Sequence, residues 1–155
     1  MNVYRIYFAH PATSHNTEGE KRITDILKER GWQVINPFLD DAHQKAEFVN
    51  NIRQNRFGIL DSAKLVLNDI IHIGRSDAIL VWLPKGHTSV GTICELIHGW
   101  YMGKYIIIIY ELHDFPHPWA WWHSDEFYRS IDDFENRHVC SDDWWKEVEH
   151  DNNDS

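Results

Sequence analysis

Apolar residues in this chain fall into short unbroken runs, separated by longer segments where they recur every three or four positions. That alternation predicts strands and helices in turn. Val3–Ala9 reads as a first strand, ended by His10-Pro11 because proline cannot continue a ladder. Glu18 to Arg30 carries Ile23, Ile26 and Leu27 on one face and stops at Gly31, the pattern of an amphipathic helix. Trp32–Asn36 is a second strand, closed by Pro37. A β–α–β start with so short a crossover commits the chain to a parallel, right-handed unit. Residues 40–58 are polar and weakly periodic, with a helix expected around Gln44 to Gln54. Asp61 to Arg75 predicts a clearer helix, with Ala63, Val66, Ile70 and Ile73 on its buried side and Asp69 bordering that stripe. Asp77–Leu83 is too short for a helix and suits a buried strand. A helix over 91–103 follows, with Ile93, Leu96, Ile97, Trp100 and Tyr101 at helical spacing and Gly103 as its stop; Tyr105–Tyr110 is the next strand. These last two strands lack polar alternation, so they are expected to be parallel and covered on both faces.

After Tyr110 the character changes. His113–His123 is aromatic and punctuated by prolines. A helix through Ser124 to Ser130 and a short strand near Arg137 to Cys140 are expected, the latter completing a parallel sheet of five strands. The expected organisation is one domain over 1–141 and an acidic tail over 142–155, in which Trp144 and Trp145 dock while the end frays.

At 155 residues the chain is long enough for one real core and short for two. Asp and Glu outnumber Lys and Arg by 24 to 15, a formal charge of −9, which argues against nucleic-acid polymers as partners. Small anionic ligands would need local donors. Cys94 and Cys140 are too few for a disulfide framework, and neither a leader nor a run of membrane-spanning length is present. A cytoplasmic protein with no membrane partner is expected. No phosphate-loop or dinucleotide fingerprint occurs, so no nucleotide cofactor is expected. The 11 histidines invite a metal search, but His98, His113, His117, His123, His138, Cys94 and Cys140 form no ligand spacing, and no metal is expected.

The carboxylates carry the most chemistry. Glu95 is expected near the N-terminus of the helix after the third strand, where the dipole favours a negative charge and the crevice beyond the strands' carboxyl ends is in reach. An acidic residue there is equally a common stabilising choice. Asp69 and Asp77 fall near element ends bordering the same crevice. Displacement at an anomeric carbon needs a carboxylate nucleophile and a second group to protonate the leaving atom. Asp69 is the better partner, since an Asp just before a strand, as Asp77 is, often only orients a turn. Ser89 and Thr92 offer hydroxyls at the helix start, either to an anion or as an ordinary N-cap. Trp119, Trp121 and Trp122 suit stacking on a planar ring, a subunit interface, or a cap on the core.

Taken together, Ile6–Ala9, Asn68 to Ala78, the Ser89-x-Gly91-x-x-x-Glu95-Leu96 stretch, and Gly103-Lys104 before a strand resemble the nucleoside 2-deoxyribosyltransferase superfamily. The resemblance spans the first strand and roughly residues 60–110. It implies a flavodoxin-like three-layer α/β fold and cleavage of the N-glycosidic bond of a nucleoside or its 5′-monophosphate, with transfer to water or to another base. It further implies that Glu95 attacks the anomeric carbon, that Asp69 binds and protonates the base, and that Tyr7 positions Glu95. Substrate contacts are implied at Ser89, Gly91, Ala9, His10 and Asp77, in a homodimer or larger assembly whose neighbouring subunit helps close each site. The serine at position 89 resembles the branch that hydrolyses 5′-monophosphates, where a hydroxyl can donate to phosphate and an aspartate would repel it. The loop His10–Asn16 lacks that branch's basic residues, and Thr13, Ser14 and His15 are the available substitutes. Two other readings share the crevice: a nucleotide sensor without turnover, and an enzyme cleaving NAD at its nicotinamide bond.

Overall fold

The computed structural model describes residues 2–40, 50, 54, 59–87 and 89–140. Five strands, β1 (Arg5–Ala9), β2 (Gln33–Ile35), β3 (Ala78–Leu83), β4 (Tyr105–Tyr110) and β5 (Glu126–Tyr128), form one all-parallel sheet in the order β2-β1-β3-β4-β5. The longer helices are α1 (Glu18–Glu29), α3 (Ile59–Gly74) and α4 (Val90–Tyr101); shorter ones are α2 (Pro37–Asp40), α5 (Pro118–Trp122) and α6 (Ile131–Asn136). This is the expected flavodoxin-like arrangement, with helices on both faces of a buried parallel sheet.

Period-two alternation divides the sheet into two cores. Ile6, Phe8, Leu80, Trp82, Ile107 and Ile109 point to the side where α1 supplies Ile23, Ile26 and Leu27 and α6 supplies Phe134. Tyr7, Ala9, Ile79, Val81, Leu83, Ile106 and Ile108 point to the other, with Leu96 from α4 and Ile73 from α3. The first side is fastened at its rim: Arg22 pairs with Asp132 at 2.7 Å and with Glu135, and the Arg30 guanidinium lies 4.3 Å over the Phe134 ring. Thr17 caps α1 by accepting from Glu20 N–H.

Several expectations change. The stripe that α4 buries is Thr92, Leu96 and Gly99, while Ile93, Trp100 and Tyr101 stay exposed. The reason is close approach: a Cβ on Gly99 would stand 1.9 Å from Ile79 Cδ1. Among the described residues of α3 only Ile73 is fully buried, and Ala63 and Val66 are exposed. The fifth strand is Glu126–Tyr128, inside the stretch expected to be helical, not 137–140; Cys140 N–H still donates to Phe127 O at 2.9 Å beside it. Its run, Glu126-Phe-Tyr128, is too short to show a period, so the neighbouring strand decided its form. The Trp-rich segment holds a helix started by Pro118 at its first position, with His117 as N-cap. The expected helix at 44–54 falls almost wholly outside the described residues, as does the tail from 142. Among the described residues no helix is long and apolar enough to cross a membrane.

Candidate active site

Between α3 and α4 lies a cleft of about 140 Å³, walled by Val66, Asp69, Ile70 and Ile73 on one side and by Gly91, Cys94, Glu95 and His98 on the other. Tyr7 lies behind the Glu95 wall, buried on β1. Its position is fixed by the ladder, because Tyr7 sits between Ile35 of β2 and Ile79 of β3 in the centre of the sheet. The Tyr7 hydroxyl donates to Glu95 Oε1 at 2.7 Å, spanning 88 residues of sequence. Gly99 makes this contact reachable, since it lets α4 press onto β3 one helical turn beyond Glu95.

Burial, reinforced by the carboxylates of Glu95 and Asp69, pushes the Tyr7 phenol far above its ordinary pKa. The phenol therefore stays neutral and remains a donor across the physiological range. Tyr7, Glu95 and Asp69, read from three separate stretches of sequence, thus meet at one place. The dipole argument for Glu95 needs correction. Glu95 is the sixth residue of α4, in its second turn, and the first turn carries no acidic residue. Dipole stabilisation fades within the first turn, so the phenol, not the helix end, is what holds this carboxylate.

The remaining expected contacts scatter. Ser89 is the N-cap of α4, its Oγ accepting from Thr92 N–H at 3.2 Å, so its own proton remains available to donate. Gly91 lines the cleft. Ala9 is fully buried within β1. His10 turns to the opposite face of the sheet, where its Nδ1 lies 2.9 Å from Ser14 Oγ and its Nε2 3.3 Å from Glu20. Asp77 stands at the amino edge of the sheet, accepting from Arg5 N–H at 2.7 Å, far along the strands from the α4 N-terminus. Its place before β3 makes it a turn-orienting residue, which sequence alone had also allowed.

One group was missed in the sequence. His87 Nδ1 lies 2.8 Å from Thr13 Oγ1, which joins the loop after β1 to the loop after β3 at the edge where the strand order reverses. The loop after β1 brings no Lys or Arg, and His87 brings a titratable imidazole to it from 74 residues away. Only the loop's position after a strand could have signalled this. Among the described residues no group of three or more His, Cys, Asp or Glu could hold a metal ion.

No family model matches the sequence, and no curated protein matches it. Solved structures do. A 2-deoxyribosyltransferase from the psychrotolerant bacterium Bacillus psychrosaccharolyticus aligns with a TM-score of 0.60 and 19% identity, over 85% of this chain and 90% of that one. The CMP N-glycosidase BcmB of Clostridium botulinum aligns with a TM-score of 0.51 and 22% identity, over 86% of this chain and 96% of that one. At such identities the likeness establishes the shared fold.

Proposed function

We propose that this chain belongs with the nucleoside 2-deoxyribosyltransferases and cleaves the N-glycosidic bond of a (deoxy)nucleoside or its 5′-monophosphate. One observation carries the reading: a buried, neutral Tyr7 holds the Glu95 carboxylate at 2.7 Å on the wall of an open cleft that Asp69 also lines. A carboxylate placed for packing has no need of a cleft. The two fold neighbours, a deoxyribosyltransferase and a CMP N-glycosidase, act on bonds of this class.

In this mechanism the Glu95 carboxylate attacks C1′ of the sugar, and the C1′–N bond breaks with its electron pair leaving on the base. Asp69 binds the base and supplies the proton that base nitrogen takes up. Water or a second base, giving up its proton to Asp69 and so restoring that acid, then displaces Glu95 from C1′; the C1′–O bond to Glu95 breaks, the carboxylate is regenerated and the net result is retention. Tyr7 keeps the carboxylate in one orientation throughout. At the 5′ end Ser89 donates its available proton, and His87 with Thr13 adds polar contacts to an anionic substituent. That arrangement favours a 5′-monophosphate.

The cleft's 140 Å³ falls short of the ~300 Å³ or more of ordinary small-molecule sites. Beside it α3 exposes Val66 and Leu67, each by more than half. A homodimer or larger assembly, with a neighbouring copy against α3, answers both features.

The test is a chromatographic assay for free base over a panel of nucleosides, 5′-monophosphates and NAD, with and without a second base. Base released from monophosphates is the expected result. A new nucleoside formed only with the acceptor would make the chain a transferase. Nicotinamide release from NAD alone would move the substrate assignment, and tight nucleotide binding with no base release would make it a sensor.

A further inference from the structure

A second concavity, independent of the glycosidic reading, lies between the C-terminal end of α4 and the short helix α5. It holds about 540 Å³, within the ~300–1,000 Å³ of ordinary small-molecule sites, and Trp100, Tyr101, Trp119, Trp122 and His123 form most of its wall. Trp119 stacks on the His123 imidazole at 5.4 Å and 7°. Trp100 meets that imidazole at 4.8 Å and 76°, and meets Tyr101 at 5.1 Å and 82°. The planes of Trp119 and Tyr101 therefore both stand close to perpendicular to Trp100. His123 is only 6% exposed, and its Nδ1 donates to the Trp119 carbonyl at 2.6 Å, which fixes the ring in place. The rings around it stay open: Tyr101 by 78%, Trp119 by 62% and Trp122 by 75%.

We propose that this groove binds a small organic cation, an alkylated ammonium group seated against the ring faces. Three features point to a positive charge. The face of an aromatic ring is the negative part of its quadrupole and attracts an ammonium that has shed its water. Trp100 and Tyr101 are the last two residues of α4, the end at which the helix dipole places partial negative charge. The chain as a whole carries a formal charge of −9, which gathers cations and disperses anions. No fixed positive charge opposes this. Among the described residues no Lys or Arg lines the groove, and Lys104, just past the helix, donates instead to Gly74 O at 2.9 Å and Ser76 O at 2.7 Å. No Asp or Glu lines it either, so rings alone meet the charge. That favours a weakly hydrated alkylammonium over a metal ion, which needs oxygen or nitrogen ligands. Shape narrows the choice again. A flat heterocycle is held best between parallel faces, whereas walls that cross at right angles meet a compact, rounded group from more than one side.

Calorimetric titration of the full chain tests this, with choline and with its uncharged carbon isostere, in which a tert-butyl group replaces the trimethylammonium. Choline is expected to bind about tenfold or more tighter than the isostere, since only the charge differs. Tyr101→Leu and Trp119→Leu lie at exposed positions outside both cores, so the thermal melt is expected to stay unchanged. Each is expected to weaken choline by about threefold or more and the isostere by less, and Trp119→Phe to keep most of the affinity. Equal affinity for choline and the isostere would reduce the groove to an apolar surface. Adenine bound more tightly than choline would make it a site for planar rings, and choline affinity that falls as protein concentration rises would assign it to a second copy. Any of these results, or no binding of choline to the wild-type chain, would overturn the proposal.

Discussion

Glu20 and Glu95 each lean from a helix toward β1, one on either face of the sheet, and they keep different company. Glu20 is buried, and a single one of its oxygens takes both His15 Nδ1 at 2.8 Å and the approach of His10 Nε2 at 3.3 Å. Phe8, Phe38 and Trp82 pack around His10, so this carboxylate faces imidazoles that are themselves set among aromatic rings. Glu95 is half-buried, accepts from the Tyr7 phenol, and borders a cleft. A buried carboxylate is therefore not in itself a sign of catalysis. What separates the two is whether the charge is enclosed in the core or held at an opening.

The largest effects should divide these two residues. Glu95→Gln is expected to lower kcat by on the order of 10⁴-fold or more, with the melting temperature held or raised. Glu20→Gln is expected to do the reverse: near wild-type turnover, with a stability loss of about 1.5–3 kcal/mol as its charge-assisted bond to the His15 imidazole weakens. Steady-state kinetics and thermal melts on both variants check this together. Turnover surviving in Glu95→Gln would remove the nucleophile and the proposed mechanism with it. Asp69→Asn comes next, with an expected loss of about 10²–10⁴ in kcat, smallest for substrates whose base departs without needing a proton. An equal loss for every leaving base would leave Asp69 a positioning residue for Glu95.

How far these assignments were readable depended on the element. β1, β3 and β4 were legible because an unbroken apolar run in a parallel sheet has few other uses, and α1 because its stripe, cap and terminal glycine agree. The C-terminal third was not, because α5, β5 and α6 are each shorter than the windows in which a period shows, and contacts with β4 and α1 decide their form. At the cleft, the place of Glu95 beside the opening was legible but its support was not. Sequence favoured the helix dipole, whereas the Tyr7 hydroxyl 88 positions away supplies the contact. His10 and Asp77 failed for a related reason. A residue one step past a strand, or one step before it, points to a face or an edge that register alone determines. Such contacts exist only in three dimensions.

The enclosed side also carries a dependence of stability on acid. Burial, outweighing the attraction of Glu20, pushes the His10 imidazole down to about 4. Facing it are Glu20 and His15 from the loop and α1, Ser14 from the turn, and Asn36 from the end of β2. The unfolded chain takes up this proton near pH 6.5, so the folded state holds fewer protons between 6.5 and 4. Its stability is therefore full above pH 6.5 and falls as the pH drops toward 4, by on the order of 2–3 kcal/mol. Thermal melts between pH 7 and 4 are expected to show that loss, and His10→Gln is expected to flatten it. A slope unchanged in His10→Gln would place the acid sensitivity elsewhere and weaken the contrast between the faces.

The smallest effect tests the contact on which the comparison turns. Tyr7→Phe removes the hydroxyl and keeps the ring, so packing between Ile35 and Ile79 survives while the Glu95 carboxylate loses its fixed orientation. A loss of about tenfold in kcat with KM nearly unchanged is expected, because positioning acts on attack more than on binding. Stability supplies an independent reading of the same hydroxyl. Since the folded phenol resists ionisation, the wild type keeps this contribution below pH 10 and loses it as the pH rises further and the unfolded chain ionises first. Tyr7→Phe should lack that alkaline loss. If the variant lost turnover but kept the alkaline slope, the hydroxyl would be acting on the reaction by some path other than its buried bond to Glu95. The open carboxylate would then be no better held than its surroundings require, and the distinction between Glu20 and Glu95 would rest on exposure alone.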